Sequence, residues 1–262
     1  MQQYCITKYD KSKRDKNGTY PDDCDQWTES CDVGRHINGK KVQLRDYFRV
    51  EDRYIKAALA LFDYADLPYL RLTNAHLHDY QMEILRKKNK HFHELSFSSI
   101  DFREDAIICR DEIPTVLKMI FRNLGEAKLE FQGKFFIHIG WDFYMYIGAH
   151  VSNNSLIEKI EEDGLYVLEW DSPYTPQKMN ELELFIDRSS KETNLYDDSF
   201  RIEINVKELH SLRDLWGYSK EHPFLGVWEI KSDHAEGLKP FVSHAFDFDK
   251  FRYWLHTDGW ED

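Results

Sequence analysis

Two His-x-His pairs, each followed by a carboxylate, are where residue type and spacing could first do chemistry: His76-Leu77-His78-Asp79 and His91-Phe92-His93-Glu94. On a strand, residues i and i+2 share a face and can grip one metal ion, whereas on a helix they splay apart. The first pair falls in a segment that reads as a charge-laced helix, capped by Asn74 and running to about Lys88. The second falls in an expected strand with Leu95 and Phe97 on the same face, neighbours that suit a core edge as well as a metal grip. One functional reading is therefore a metal-dependent enzyme built on His91, His93 and Glu94. A second enzyme version uses His138 and Tyr144.

Other sets are weaker. Cys24, Cys31 and His36 lie near Asp25 and Asp32, but their spacing matches no short zinc ribbon. Asp15-Lys16-Asn17-Gly18 resembles part of a calcium loop without the glutamate that closes one, and reads as a turn. There is no Gly-x-Ser-x-Gly elbow and no glycine-rich loop leading into a helix, and the chain has only 12 glycines with which to build one. The basic run Arg86-Lys87-Lys88-Asn89-Lys90-His91 lacks interleaved aromatics and reads as a solvated helix end. No cofactor and no resident metal are expected.

Charge points elsewhere. The 262 residues hold 47 acidic and 35 basic side chains, a net −12, which repels phosphate backbones and anionic lipid and attracts a basic partner. Residues 1–175 carry −5 of this and residues 176–262 carry −7, so the shorter segment is the more acidic. Asp247, Asp249, Trp254, Asp258, Trp260, Glu261 and Asp262 crowd its end, mixing carboxylates with large aromatic anchors. The opening residues are polar within a few positions and contain no apolar run of signal-peptide or membrane-span length, so a cytoplasmic chain is expected. The four irregularly spaced cysteines read as reduced thiols.

These groups must be positioned by an α+β fold, with mixed or antiparallel sheets and helices packed on one face. YCITKYD reads as a first strand. Apolar residues at helical spacing predict a helix from Leu44 to Ala65, stopped by Asp66-Leu67-Pro68. LRLTN reads as a short strand. Asp111 and Pro114 open a helix with Val116, Leu117, Ile120, Phe121 and Leu124 inward and Gly125 as its stop. Ser155 and Glu158 have capping-box spacing for another, stopped by Gly164, and the LYVLEW strand follows. The two prolines of Ser172-Pro173-Tyr174-Thr175-Pro176 suggest a linker, hence domains over 1–175 and 176–262. Beyond it, ELELFID, FRIEINV and FLGVWEI read as strands, a short helix ends at Gly217, and FDKFRYWLH reads as a closing helix.

Between the second and third helices, GKFFIHIGWDFYMYIGAHV forms an aromatic hairpin. With Gly140-Trp141-Asp142 as the loop, one face pairs Ile139 with Phe143, Ile137 with Met145 and Phe135 with Ile147. The other pairs His138 with Tyr144 and Phe136 with Tyr146. That second face is either covered, as in a two-layer domain, or a recognition face. The opening YCITKYDKSKRDKNGTY with Trp27, together with FFIHIGWDFYMYIGA and DGLYVLEWDSPY, is similar to a group of uncharacterised bacterial proteins. That group shares an I-T-K-Y opening, an F-G-x-D-Y-Y-M-Y-I-G-like hairpin and an S-P-Y ending. The resemblance covers residues 1 to about 175 and implies a bacterial or phage cytosolic origin. The leading expectation is a protein-binding module that occludes a basic partner, an immunity protein or inhibitor of a toxin or nuclease. Its contacts are expected at Asp247, Asp249, Trp254, Asp258, Trp260, Glu261, His138, Tyr144 and Tyr146, with no direct contact to nucleic acid or membrane. A third reading, a subunit of a larger assembly, predicts an exposed apolar patch.

Overall fold

The computed structural model describes residues 1–14, 20, 27–78, 90–131, 133–150, 154–173, 184–192, 196–202 and 206–257; in 184–185, 196–202 and 206–210 only the backbone is described. The fold is α+β with antiparallel sheets, and the chain divides into two compact units, Met1–Ser172 and Pro173–Asp262. The units part between Ser172 and Pro173, three residues before the expected division after residue 175. Among the described residues, no helix is long and apolar enough to cross a membrane.

The first unit opens with β1 (Gln2–Thr7), followed by the short pair β2 (His36–Ile37) and β3 (Lys40–Lys41). Helix α1 (Leu44–Ala65) has the bounds its periodicity predicts, and Asp66 closes it in the left-handed conformation. Its inward stripe includes Tyr47, Tyr54, Ile55, Ala58, Leu61 and Phe62, and also Glu51, a carboxylate in an otherwise apolar row. Then come β4 (Leu70–Leu77), β5 (Ile107–Ile108), α2 (Ile113–Phe121), β6 (Gly125–Phe131), β7 (Phe135–Ile139), β8 (Met145–Ala149), α3 (Asn154–Glu162) and β9 (Tyr166–Glu169). The strands form one sheet in the order β5-β4-β6-β7-β8-β1-β9. Helices α1, α2 and α3 share a core with one face of it, through Leu72, Leu129, Ile137, Met145 and Ile147.

Three local expectations fail here. Asn74 caps no helix: it lies inside β4 at φ +52°, where the pairing with β6 slips between Thr73 and His76. Gly125 does not end α2 but starts β6, the strand passed over in the pattern; the helix ends at Phe121, the chain turns through Asn123 at φ +59°, and Leu124 N donates back to Met119 O at 2.9 Å. Residues 90–99 are two 3-10 turns, Lys90–Phe92 and Leu95–Ser99, because Phe92 and Phe97 both drop into the core from short tight bends.

The second unit is a four-stranded sheet in the order β11-β10-β13-β12, built from β10 (Leu184–Ser190), β11 (Tyr196–Ile202), β12 (Val227–Ile230) and β13 (Phe251–His256), with α4 (Val206–Leu215) and α5 (Ala235–Leu238). The expected closing helix over FDKFRYWLH is thus β13, a strand bonded on both sides. Phe251, Trp254 and Leu255 fit a helical spacing, but Tyr253 and Leu255 fit a period of two equally well, and free edges on β10 and β12 take the strand. Ile186, Trp228, Ile230, Tyr253 and Leu255 form the core on one face of this sheet with Leu212 and Leu238.

Candidate functional site

Making β13 a strand changes what Trp254 does. It sits on the face opposite Tyr253 and Leu255, directly across from Asp187 on β10 and from Glu229 on β12. A half-buried indole is therefore flanked by two carboxylates in one row across three strands. His256, next on that face, reaches Asp187 Oδ2 at 3.0 Å, and Val227 and Arg252 are exposed on the same side. Asp247 has a local duty: its carboxylate accepts from Lys250 N at 3.2 Å and pairs with Lys250 Nζ at 3.0 Å, and the Lys250 hydrogen bond holds it below the usual carboxylate range. Its backbone N–H donates to Tyr253 Oη at 3.0 Å, which fixes the turn into β13. Asp249 is exposed. Asp258, Trp260, Glu261 and Asp262 lie outside the described residues.

The hairpin register differs from expectation by two residues, because the connection runs over residues 140–144 instead of three. His138 faces Tyr146, Phe136 faces Gly148 and Ile137 faces Ile147. A shift of two leaves each side chain on its expected face, so the core side is as read. On the other side His138 is only 2% exposed. Its ring stacks on Phe136 at 4.0 Å, Nδ1 meets Ser172 Oγ at 2.9 Å and Nε2 meets Glu130 Oε1 at 3.1 Å. Burial pushes the imidazole below its ordinary range against the pull of Glu130. The Glu130 carboxyl, which burial alone would raise, is held low by His138. With the ring neutral, Nε2–H donates to Glu130 and Nδ1 accepts from the Ser172 hydroxyl.

Ser–His–Glu is the composition of a hydrolytic relay, but Ser172 is 3% exposed and its N–H is tied to Gln3 Oε1 at 2.7 Å. The network pins the end of the first unit onto β1 and β7, and the serine is buried within it. Tyr144 has left the strand, and its hydroxyl accepts from Arg14 Nη2 at 2.9 Å. His138 and Tyr144 are therefore not brought together.

Nor do the histidine pairs assemble with their carboxylates. His76 and His78 have ring centroids 5.3 Å apart, His78 Nε2 is 3.6 Å from Glu126 Oε1, and Asp79 lies outside the described residues. His91 sits in the 3-10 turn Lys90–Phe92 and His93 in the link that follows it, neither on a strand, and their rings meet those of Phe92 and Phe97. Glu94 is engaged by Lys118 Nζ at 2.9 Å and Arg122 Nη1 at 2.8 Å. Among the described residues, the three groups close enough to share an ion are Glu29, Cys31 and Asp32. Asp32 is already held by Thr28 N at 2.9 Å and Arg35 Nη1 at 3.0 Å, and burial with Glu29 beside it pushes the Cys31 thiol up to about 11. His36 is not part of that group, and Cys24 and Asp25 lie outside the described residues.

Pattern reading missed the most unusual region, at the hairpin end of the first sheet. Asp142 and Phe143 are consecutive non-glycine residues at φ +56° and +60°, each costing roughly 1–2 kcal/mol against an ordinary conformation. The Phe143 ring is locked inside against Phe121, Trp27, Tyr47 and Tyr54. The Tyr54 hydroxyl donates to Phe143 O at 2.6 Å and accepts from Lys8 N at 2.7 Å. That arrangement leaves Trp141 outside, 86% exposed. Beneath the tip, Lys8 Nζ lies 4.1 Å and 4.2 Å from the ring centroids of Tyr9 and Trp27, buried and without a hydrogen-bond partner among the described residues. Burial, opposed by Asp32 and Asp142, brings this amine down to about 7. The sequence carries only a partial trace of this: Asp142 is a residue type that visits the left-handed conformation, but nothing in the pattern puts Phe143 there.

A family described as a domain of unknown function (DUF7683) matches residues 183–256, which takes in β10 to β13 and the Asp187–Trp254–Glu229 row. No curated protein and no solved structure matches the chain.

Proposed function

We propose that this chain is a protein-binding module that occludes a basic partner, acting in the bacterial cytoplasm as an immunity protein or inhibitor of a toxin or nuclease. The observation that supports it best is the row on the second sheet, where Trp254 stands between Asp187 and Glu229. An indole beside the exposed Glu229 gives a cationic side chain an aromatic neighbour and a charged acceptor, while Asp187, engaged by His256, adds to the local negative field, on strands that hold the spacing rigid. The net charge of −12 favours encounter with a basic protein and disfavours direct contact with nucleic acid. An enzyme that grips phosphate presents a basic cleft, and carboxylates with aromatic anchors are the chemistry that fills one.

The test is a tagged pull-down from native cells, washed at low and high salt, with the eluate identified by mass spectrometry. A stoichiometric basic protein lost at high salt is expected. Glu229→Lys with Asp249→Lys weakens that complex by at least about tenfold and flattens its salt dependence. Unchanged affinity and salt slope in this variant would overturn the electrostatic reading, and an eluate with no partner at either salt would overturn the binding role.

A further inference from the structure

The hairpin tip is built to do the reverse of what packing asks. Of two neighbouring aromatic residues, Phe143 is taken into the core, while Trp141, the larger, is left in solvent. The backbone between them is held in two successive left-handed conformations, which persist only because Phe143 and the Tyr54 hydroxyl over-determine them. The tip is also tied at its base, where Gly140 N donates to Tyr144 O at 2.7 Å and Tyr144 N donates to Trp141 O at 3.1 Å. The indole is thus presented on a pinned loop. Beside it Asp142 is exposed.

We propose that Trp141 and Asp142 form an arginine-recognition anchor for a basic partner of the kind inferred above, on whose existence this proposal rests. A guanidinium is planar, weakly hydrated and forked: it stacks on an indole face and closes two hydrogen bonds on one carboxylate, whereas an ammonium does neither as well. A hydrophobic partner surface would use the indole but gain nothing from the adjoining carboxylate, and an anionic one would be repelled by it. Pre-positioning keeps the ordering cost of binding low, which is what a loop strained in advance provides.

The experiment is an NMR titration of the full-length, nitrogen-15-labelled chain with the peptide acetyl-Gly-Arg-Gly-Arg-Gly-amide and its lysine and citrulline counterparts, read at the Trp141 indole N–H. The expected result is a saturable shift with arginine, at least about threefold weaker with lysine and absent with citrulline. Asp142→Asn, which keeps a residue that tolerates the left-handed conformation, removes the arginine preference, and Trp141→Ala leaves the other indole signals in place. A shift equal for all three peptides, or no saturable shift at the Trp141 indole, overturns the anchor. Repeating the pull-down with Trp141→Ala separates the two ideas. Capture lost with Glu229→Lys but kept with Trp141→Ala refutes the anchor and leaves the binding role standing; capture of no partner by the unaltered chain refutes the role itself.

Discussion

Lys8→Met is expected to stabilise the first unit, most strongly at acid and neutral pH. The Lys8 amine is closed in between Tyr9 and Trp27 with no acceptor among the described residues, and burial lowers it from 10.5 to about 7. At about 1.4 kcal/mol per tenfold, that span sets a ceiling of about 5 kcal/mol on the cost of carrying the proton in the folded state. The two ring faces return about 0.5–2 kcal/mol each through cation–π attraction, leaving a net cost of about 1–4 kcal/mol. Because the unfolded chain holds this proton more tightly, the cost is present in full below about pH 7, shrinks as pH rises, and vanishes near 10.5. Methionine keeps the apolar stem against both rings and carries no charge. Hydrogen exchange of β1 peptides in graded urea, followed by mass spectrometry at about pH 6 and about pH 9, reads the difference. The unaltered chain should gain stability over that interval relative to Lys8→Met. A Lys8→Met protein that is less stable at the lower pH, or that shares the unaltered chain's pH slope, refutes the reasoning and makes the ammonium a net stabilising cation in its aromatic cage.

Two further outcomes follow from the packing of the first unit. Gly148 lies opposite Phe136, and a Cβ there would overlap the Phe136 ring, so Gly148→Ala should cost about 1–3 kcal/mol by thermal unfolding, with part recovered when Phe136→Leu is added; no loss would show that the ring moves freely. Arg122 Nε meets Glu51 Oε1 at 2.8 Å in full burial, so Arg122→Met alone should cost about 3–5 kcal/mol, while Glu51→Leu with Arg122→Met should recover most of it, and equal losses in single and double variants would contradict the pairing.

Much of the scaffold is legible without coordinates. α1 could be read to its ends because a long 3.6-residue stripe meets a strong stop at Asp66-Leu67-Pro68. The hairpin strands, β1, β9, β10 and β12 were readable as strands, β1 and β10 from alternation. The histidine pairs were not, since a two-residue spacing means opposite things on a strand and in a 3-10 bend, and only the burial of Phe92 and Phe97 decides between them. β13 shows the same limit, because helical and strand periods both fit a short apolar run.

What the sequence by itself determined is the class of the protein: an α+β fold of mixed or antiparallel sheets with helices on one face, a net acidic charge and a supply of aromatic anchors; that the sheets are antiparallel came from the strand pairings. The class follows from composition and short-range periodicity, which act over neighbouring residues. Tertiary structure alone decided where the anchors point. Trp254 comes between Asp187 and Glu229 because β10 and β12, separate stretches of the chain, both pair with β13, and Trp141 is expelled because Phe143 claims the cavity lined by Trp27, Tyr47, Tyr54 and Phe121. Both are competitions for a limited interior, settled by distant parts of the chain arriving at one place.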